Sequence, residues 1–353
     1  MSEADAVSPV SSIATMRSKT PTAIPMASTP GRVVHRRVRS MNKKSKGSFY
    51  GQERPIFICG KAVTNEQIAL PKLTNSYVLH SNGEIERKMT GQSFDDNSDP
   101  LVLEKMSSSK TFIVSTAQTI GKRVYMEDVI YVQGEYEEGV DVYAVFDGHN
   151  GKEAAIEACK HLKECLGSLK DVVIEDINDK LNDSFNKLQE IICSKCESGT
   201  TCSLVIIKDD TLIIANVGDS PIIAVNTLNN VMRLGEKHTT SNEKEIEHVM
   251  ERGGVVEDVN GVKRVNGVIN ITRSLGDKAF HPPMDHLPFI QVLNKDDYKR
   301  IVIASDGIDT VQDELLEFYL REGETAIVSQ AIRNKAYELN SKDNISVIVI
   351  STY

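Results

Sequence analysis

Carboxylates stand beside short apolar runs at five places in the 353-residue sequence. They are Glu127 with Asp128, then Asp147, Asp219, Asp306 and Asp343. If the strands predicted at these runs share one edge, the like charges repel by several kcal/mol unless cations compensate them. Oxygen ligands without an accompanying Cys/His set favour Mg²⁺ or Mn²⁺ over Zn²⁺. The spacing alone leaves two interpretations open, a two-metal site or a set of ordinary strand-end turns.

Apolar patterning predicts the elements that would position these residues. β-Branched runs separated by turn residues predict strands at 111–117, 128–134, 141–146, within 203–225, and at 264–270, 288–293, 299–305 and 344–352. Apolar positions at helical spacing and terminating glycines predict helices at 151–168, 175–196, 242–252, 311–321 and 324–339. Strands in hairpin groups, with paired helices between the groups, favour an α+β fold in which helices cover antiparallel sheets.

Charge divides the chain into a basic beginning and an acidic remainder. Residues 1–60 carry ten Lys and Arg against three Asp and Glu, a net charge of +7, so the rest carries −16 of the total of −9. An acidic body argues against a nucleic-acid partner. No run approaches the ~18 apolar residues of a membrane span, and the first residues lack the features of a signal peptide. We therefore predict a soluble protein that is cytoplasmic, nuclear or both.

Composition divides the chain into three predicted segments. Residues 1–50 are rich in Ser, Thr, Pro and basic residues and are predicted to form a disordered tail. Ser40 and Ser45 lie among basic residues there, which is typical either of a solvated tail or of a segment that docks partners or is recognised by kinases. Residues 51–108 are predicted to be a linker or a small appendage, and the main folded domain is predicted at 109–353.

Six cysteines include a Cys-x-x-Cys pair, Cys193 and Cys196, near the end of a predicted helix. A structural zinc site needs a second ligand pair at metal spacing, and none follows in the sequence. We interpret the cysteines as ordinary reduced thiols, with a redox-sensitive pair as the alternative.

Seven motifs in a fixed order carry a resemblance to a known family. They read R-V-Y-M-E-D, F-D-G-H-N-G, S-G-T-T, A-N-V-G-D-S, R-V-N-G-V-I-N-I-T-R-S-L-G-D, A-S-D-G and K-D-N-I-S-V. The series resembles the metal-dependent serine/threonine protein phosphatases, the PPM or type 2C family, over about Thr111 to Tyr353. The resemblance implies a four-layer α-β-β-α sandwich of two antiparallel sheets flanked by helices. It also implies that a hydroxide bridging two Mg²⁺ or Mn²⁺ ions hydrolyses phosphoserine and phosphothreonine on phosphoprotein substrates, and we expect a monomer.

The resemblance implies a role for each acid of the predicted metal site. Asp147 would bridge the two metals, and the carbonyl group of Gly148 would contribute to the first. The acids around the second metal would be Glu127, Asp306 and Asp343. Asp128 would hold waters that are bound to the metals.

Two further residues would act on the substrate. Arg123 matches the arginine that binds phosphate, for which a planar guanidinium fork is suited. His149 matches the general acid that protonates the departing serine or threonine oxygen. The segment Arg273–Asp277 and the pair Asn266-Gly267 are interpreted as structural.

The sequence departs from the family pattern near the predicted site. Asn150 replaces a glycine, Pro221 an arginine, Lys237 an aspartate, Thr240 a proline, and Asp309-Thr310 a Trp-Asp pair. Many members hold a weaker third metal with the acid that Thr310 replaces and with the counterpart of Asp219. A third metal at Asp219 is therefore predicted to bind poorly. No departure touches the acids of the metal pair, so we predict an enzyme, with a pseudophosphatase that regulates or binds partners through the same fold as the alternative.

Overall fold

The computed structural model describes residues 56–58, 61–63, 76–79, 85–88, 98–99, 112–323 and 325–352. The tail predicted at 1–50 lies outside these residues, as does most of 51–108. The predictions for these two segments therefore stay predictions.

The described part of the chain contains twenty strands and five α-helices. The strands are β1 Ile56–Ile58, β2 Lys61–Val63, β3 Ser76–Leu79, β4 Ile85–Lys88, β5 Ser98–Asp99, β6 Phe112–Thr119, β7 Val129–Glu137, β8 Val140–Phe146, β9 Gly148–His149, β10 Gly199–Thr200, β11 Cys202–Lys208, β12 Thr211–Val217, β13 Ile222–Asn226, β14 Val231–Leu234, β15 Val256–Val259, β16 Val262–Val265, β17 Leu275–Gly276, β18 Phe289–Asn294, β19 Tyr298–Ala304 and β20 Ile345–Thr352. The helices are α1 Glu153–Leu166, α2 Ile177–Lys195, α3 Glu243–Glu251, α4 Asp313–Glu322 and α5 Thr325–Glu338.

Two large sheets organise these elements. One has the strand order β18-β12-β11-β8-β7-β1-β2, and the other has the order β14-β13-β19-β20-β6-β3-β4, with β5 beside β6. The pairings are antiparallel except for β1 with β7, which run parallel. The sequence therefore correctly predicted antiparallel sheets.

Alternation along the strands explains the layers, because successive side chains point to opposite faces of a sheet. Ile130 and Val132 of β7 pack in a buried cluster with residues of the other sheet, such as Ile303 and Ile348. Val129 and Tyr131, one residue out of phase, pack in a cluster with α1 and α2. The outer face of the second sheet packs in a third cluster with α4 and α5. The α+β four-layer sandwich is confirmed.

Helix bounds agree with the apolar patterning to within about two residues. The helix α2 buries Ile177, Leu181 and Phe185 at helical spacing. The helix α3 begins where the Asn242 side chain accepts a hydrogen bond from the Lys244 amide, and Gly253 follows its end with a φ of 83°. In the described part of the chain, no helix is both long and apolar enough to cross a membrane.

One predicted strand is wrong over most of its length. The run 264–270 was predicted as a strand, but β16 ends at Val265. Asn266 and Gly267 follow with φ values of 50° and 71°. Two consecutive positive φ values are typical of a tight hairpin turn, which interrupts the strand despite its apolar residues.

The cysteine pair at the end of α2 contains free thiols. Cys193 donates a hydrogen bond to the carbonyl of Gly276, and Cys196 to that of Ile192. Both thiols therefore make separate backbone contacts.

Candidate active site

The predicted acids converge at one end of the sandwich. Glu127 lies two residues before β7, Asp147 directly after β8, and Asp343 two residues before β20. Asp219 and Asp306 each lie two residues after the end of a strand, β12 and β19. Because antiparallel neighbours end beside each other's starts, these positions share one edge of the two sheets. All five line one cavity of about 350 Å³, together with Arg123, Gly148 and His149.

Backbone contacts hold the acids in place. One Glu127 carboxylate oxygen accepts a hydrogen bond from the Gly151 amide at 2.7 Å, and the Glu127 amide donates to the Asn344 side chain at 2.8 Å. The amide of Asp306 donates to the Asp147 carboxylate at 3.4 Å. One of these bonds joins acids that follow strands of the two different sheets, Asp147 and Asp306.

The electrostatics of the cavity are unfavourable for so many carboxylates. Burial, together with the neighbouring carboxylates, raises the pKa of Asp147 well above its usual range. Burial and the charges of Asp219 and Asp343 raise the pKa of Asp306 to about 7. Burial also raises the pKa of Asp128 to about 6, although Ser346 donates a hydrogen bond to one of its oxygens at 2.7 Å. Ionised acids in these positions need compensating positive charge.

The donor set fits hard divalent cations. The cavity presents carboxylate oxygens, which suit Mg²⁺ and Mn²⁺. The second oxygen of Asp128 is buried and has no hydrogen-bond partner in the protein, so it can accept a bond from a water. Asp128 itself is not among the residues lining the cavity, so its role of holding waters stays a prediction.

A second group of acids does not fit a metal. The side chains of Glu236, His238 and Glu245 come within 4.8 Å of one another. However, both oxygens of Glu245 accept hydrogen bonds from Arg273, and one also accepts from Thr272. The positive charge that balances Glu245 is therefore the guanidinium, and both Glu245 oxygens are already engaged by hydrogen bonds.

Arg123 lies at the mouth of the cavity, about half exposed. Its Nη2 donates to Asp343 at 2.6 Å, and its Nε donates to the Lys342 carbonyl at 3.1 Å. The guanidinium is thus held beside a predicted metal ligand. From this position the guanidinium could bind the oxygens of a substrate phosphate group that enters the cavity.

Asp277, which the sequence analysis interpreted as structural, contacts the predicted general acid. The Nε2 atom of His149 lies 2.6 Å from a carboxylate oxygen of Asp277, which is 1% exposed. The same oxygen accepts a hydrogen bond from the Ser274 hydroxyl at 2.7 Å. Sequence reasoning missed this contact because an acid after a short strand resembles any turn residue. The only signal was its place in the R-S-L-G-D motif.

A small sheet brings His149 and Asp277 together. It has the order β17-β10-β9, and Gly199 of β10 is the register partner of both His149 and Gly276. A side-chain carbon at Gly199 would overlap the Asp277 carboxylate and the His149 ring. The glycine of the S-G-T-T motif therefore permits the close approach of the pair.

Comparisons with known proteins agree with this geometry. The sequence profile of the protein phosphatase 2C family matches residues 116–345. The chain is 32% identical to protein phosphatase fem-2 of Caenorhabditis elegans, over 71% of this chain and 60% of that protein, so it spans less than two thirds of that relative. It is 31% identical to protein phosphatase 2C homolog 1 of Saccharomyces cerevisiae, over 64% of this chain and 87% of that protein.

Solved structures show the same architecture. The structure of a C. elegans sex determining protein matches with a TM-score of 0.59 and 28% identity, over 67% of this chain and 64% of that one. A phosphatase from Toxoplasma gondii matches with a TM-score of 0.58 and 20% identity, over 69% and 93% of the two chains, and supports the fold alone. With the profile match over most of its length, the chain belongs to the protein phosphatase 2C family, the metal-dependent phosphatases that its motifs resemble.

Proposed function

We propose that this chain hydrolyses phosphoserine and phosphothreonine on proteins with the help of two Mg²⁺ or Mn²⁺ ions. One observation carries the proposal: the predicted metal-binding acids line a single cavity together with Arg123 and His149. Membership of the phosphatase family supports the reaction class.

The residues proposed to hold the ions are those that meet in the cavity. Asp147 is central, because four other acids raise its pKa besides burial. The Gly148 carbonyl and the carboxylates of Glu127, Asp306 and Asp343 complete the set, and Asp128 orients bound water from behind. When bound, two divalent cations activate a water for attack and screen the charge of the phosphate.

Arg123 and His149 would act on the substrate itself. The Arg123 fork binds two phosphate oxygens and orients the phosphorus, while its bond to Asp343 limits its motion. With Nε2 of His149 committed to Asp277, Nδ1 is the nitrogen that can donate a proton to the departing oxygen. The Asp277 carboxylate keeps the ring in that orientation and stabilises the protonated imidazole.

The test is release of phosphate from a phosphoserine peptide by the purified full chain with Mn²⁺ or Mg²⁺. We expect metal-dependent turnover that Asp147→Asn abolishes, with EDTA as a second control. Wild-type turnover no higher than that of Asp147→Asn would refute the proposal.

A second candidate is a pseudophosphatase, a binding module with the same fold. The replacements Pro221, Lys237 and Thr310 favour it, and two of them, Pro221 and Lys237, line a neighbouring cavity that Asp219 also lines. It predicts capture of a phosphoprotein, measured by titration calorimetry, without any metal-dependent turnover. The proposals of a monomer and of a cytoplasmic or nuclear location are separate from this choice; light scattering and microscopy of the tagged full chain would test them.

A further inference from the structure

An ion pair stands beside the cavity at the place of a predicted third metal. The ammonium nitrogen of Lys237 lies 2.8 Å from a carboxylate oxygen of Asp309. Lys237 belongs to the segment between β14 and α3. Asp309 directly follows the short helical turn Asp306–Ile308, which comes after β19. Two adjoining cavities, of about 330 and 530 Å³, are both lined by Asp219, Lys237 and Asp309. The ammonium group therefore lies in the same space as Asp219.

The residues at this place do not fit a third divalent ion. Thr310 occupies the position of the expected acid, and its hydroxyl donates a hydrogen bond to the Ala336 carbonyl at 3.4 Å, on the side of α5. Asp309, the adjacent acid, is paired with Lys237. An incoming cation would thus find one ligand missing and another bound to a positive charge, which would also repel it.

The charges show that Lys237 balances the acids around it. Burial raises the pKa of Asp219, and the nearby charge of Lys237 counteracts that effect. Burial alone would lower the pKa of Lys237, yet Asp309, Asp219 and Asp306 together raise it. The lysine is therefore held in its charged form by three acids, one of which belongs to the proposed metal pair.

We propose that the ammonium group of Lys237 is a resident cation that replaces a third divalent ion beside Asp219. The chain would then bind two ions at Asp147 and its neighbours, next to a fixed positive charge. Only the number of ions rests on the proposed function; the exclusion of a further ion by Lys237 is independent of catalysis.

Counting bound Mn²⁺ tests the proposal without measuring activity. The purified full chain is titrated with Mn²⁺ into the millimolar range, and free Mn²⁺ is followed by electron paramagnetic resonance. Lys237→Asp removes the cation and supplies a carboxylate, whereas Lys237→Arg keeps the charge. Lys263 lines the larger of the two cavities and its side chain is exposed, so Lys263→Asp makes the same charge change at a lysine other than the partner of Asp309 and serves as the matched control.

We expect Lys237→Asp to bind one weak Mn²⁺ more than wild type, while Lys237→Arg and Lys263→Asp bind the wild-type number. An equal gain by Lys263→Asp, no gain by Lys237→Asp in a folded variant, or a weak extra ion in wild type would each overturn the proposal. If Lys237→Asp does not fold, the wild-type and Lys237→Arg counts still decide it. A wild-type chain that binds fewer than two ions would instead refute the proposed metal pair.

Discussion

The most quantitative prediction concerns Glu245, which ties α3 to the segment that carries Asp277. Glu245 is 2% exposed. It accepts hydrogen bonds from Arg273 Nη2 at 2.5 Å, from Arg273 Nε at 3.0 Å and from the Thr272 hydroxyl at 2.7 Å. Burial by itself would raise the pKa of Glu245, but the bonds from Arg273 and Thr272 lower it to about 2 from its ordinary value of 4.5.

The substitution Glu245→Gln keeps the size of the side chain and removes its charge. The lowered pKa corresponds to about 3 kcal/mol of stabilisation of the ionised form in the folded state. Breaking a buried ion pair by removing one partner costs a similar amount, about 3–5 kcal/mol. We therefore expect the free energy of unfolding at pH 7 to fall by about 3 kcal/mol, because the guanidinium of Arg273, whose side chain is only 14% exposed, loses its charged partner.

The pH dependence of this difference follows from the direction of the shift. A carboxyl group whose pKa is lowered in the folded state contributes its full stabilisation above pH 4.5 and loses it as the pH falls toward 2. The difference between wild type and Glu245→Gln should therefore be constant from pH 8 to about pH 5 and shrink below pH 4.5.

Urea unfolding followed by circular dichroism provides the measurement, because the chain contains no tryptophan. Glu243→Gln, in the first turn of the same helix and exposed, is the matched control and should cost less than about 0.5 kcal/mol. A double-mutant cycle with Arg273→Met isolates the pair. A loss below about 1 kcal/mol in Glu245→Gln, as for an exposed pair, would refute the reasoning.

Three further predictions concern the cavity and its surroundings. Asp277→Asn should lower kcat for a phosphoserine peptide by about 100-fold or more. The same substitution should change kcat for p-nitrophenyl phosphate much less, because a good leaving group needs no proton. Equal losses of kcat for the two substrates would contradict the role assigned to His149. Mn²⁺ should raise the melting temperature of wild type and not that of Asp147→Asn, and an equal rise in both would show that the ion binds elsewhere. Burial lowers the pKa of His238 to about 4 from 6.5, so it destabilises the fold as the pH falls from 6.5 toward 4. In His238→Gln, the free energy of unfolding should therefore fall less steeply over that pH range than in wild type. An unchanged slope would disprove this.

Much of the fold could be read from local patterns. The β-branched runs of β7 and β8, bounded by turn residues, predicted these strands. The helical spacing of apolar residues predicted α2, since a helix with one buried face needs that period. The run at 264–270 failed because the pattern of apolar residues does not report backbone dihedral angles, which Asn266 and Gly267 make positive.

From the sequence alone, the order of the motifs and the family resemblance that it carries predicted which acids belong to the site, whereas their places beside strands left two interpretations open. Only the tertiary structure decided two partnerships. His149 contacts Asp277 across 128 positions of sequence, and Lys237 contacts Asp309 across 72. Contacts of that range depend on how separate elements pack, and no local pattern encodes them. The partner of His149, the proposed general acid, and the ammonium group of Lys237 beside Asp219 are therefore visible only in the folded structure.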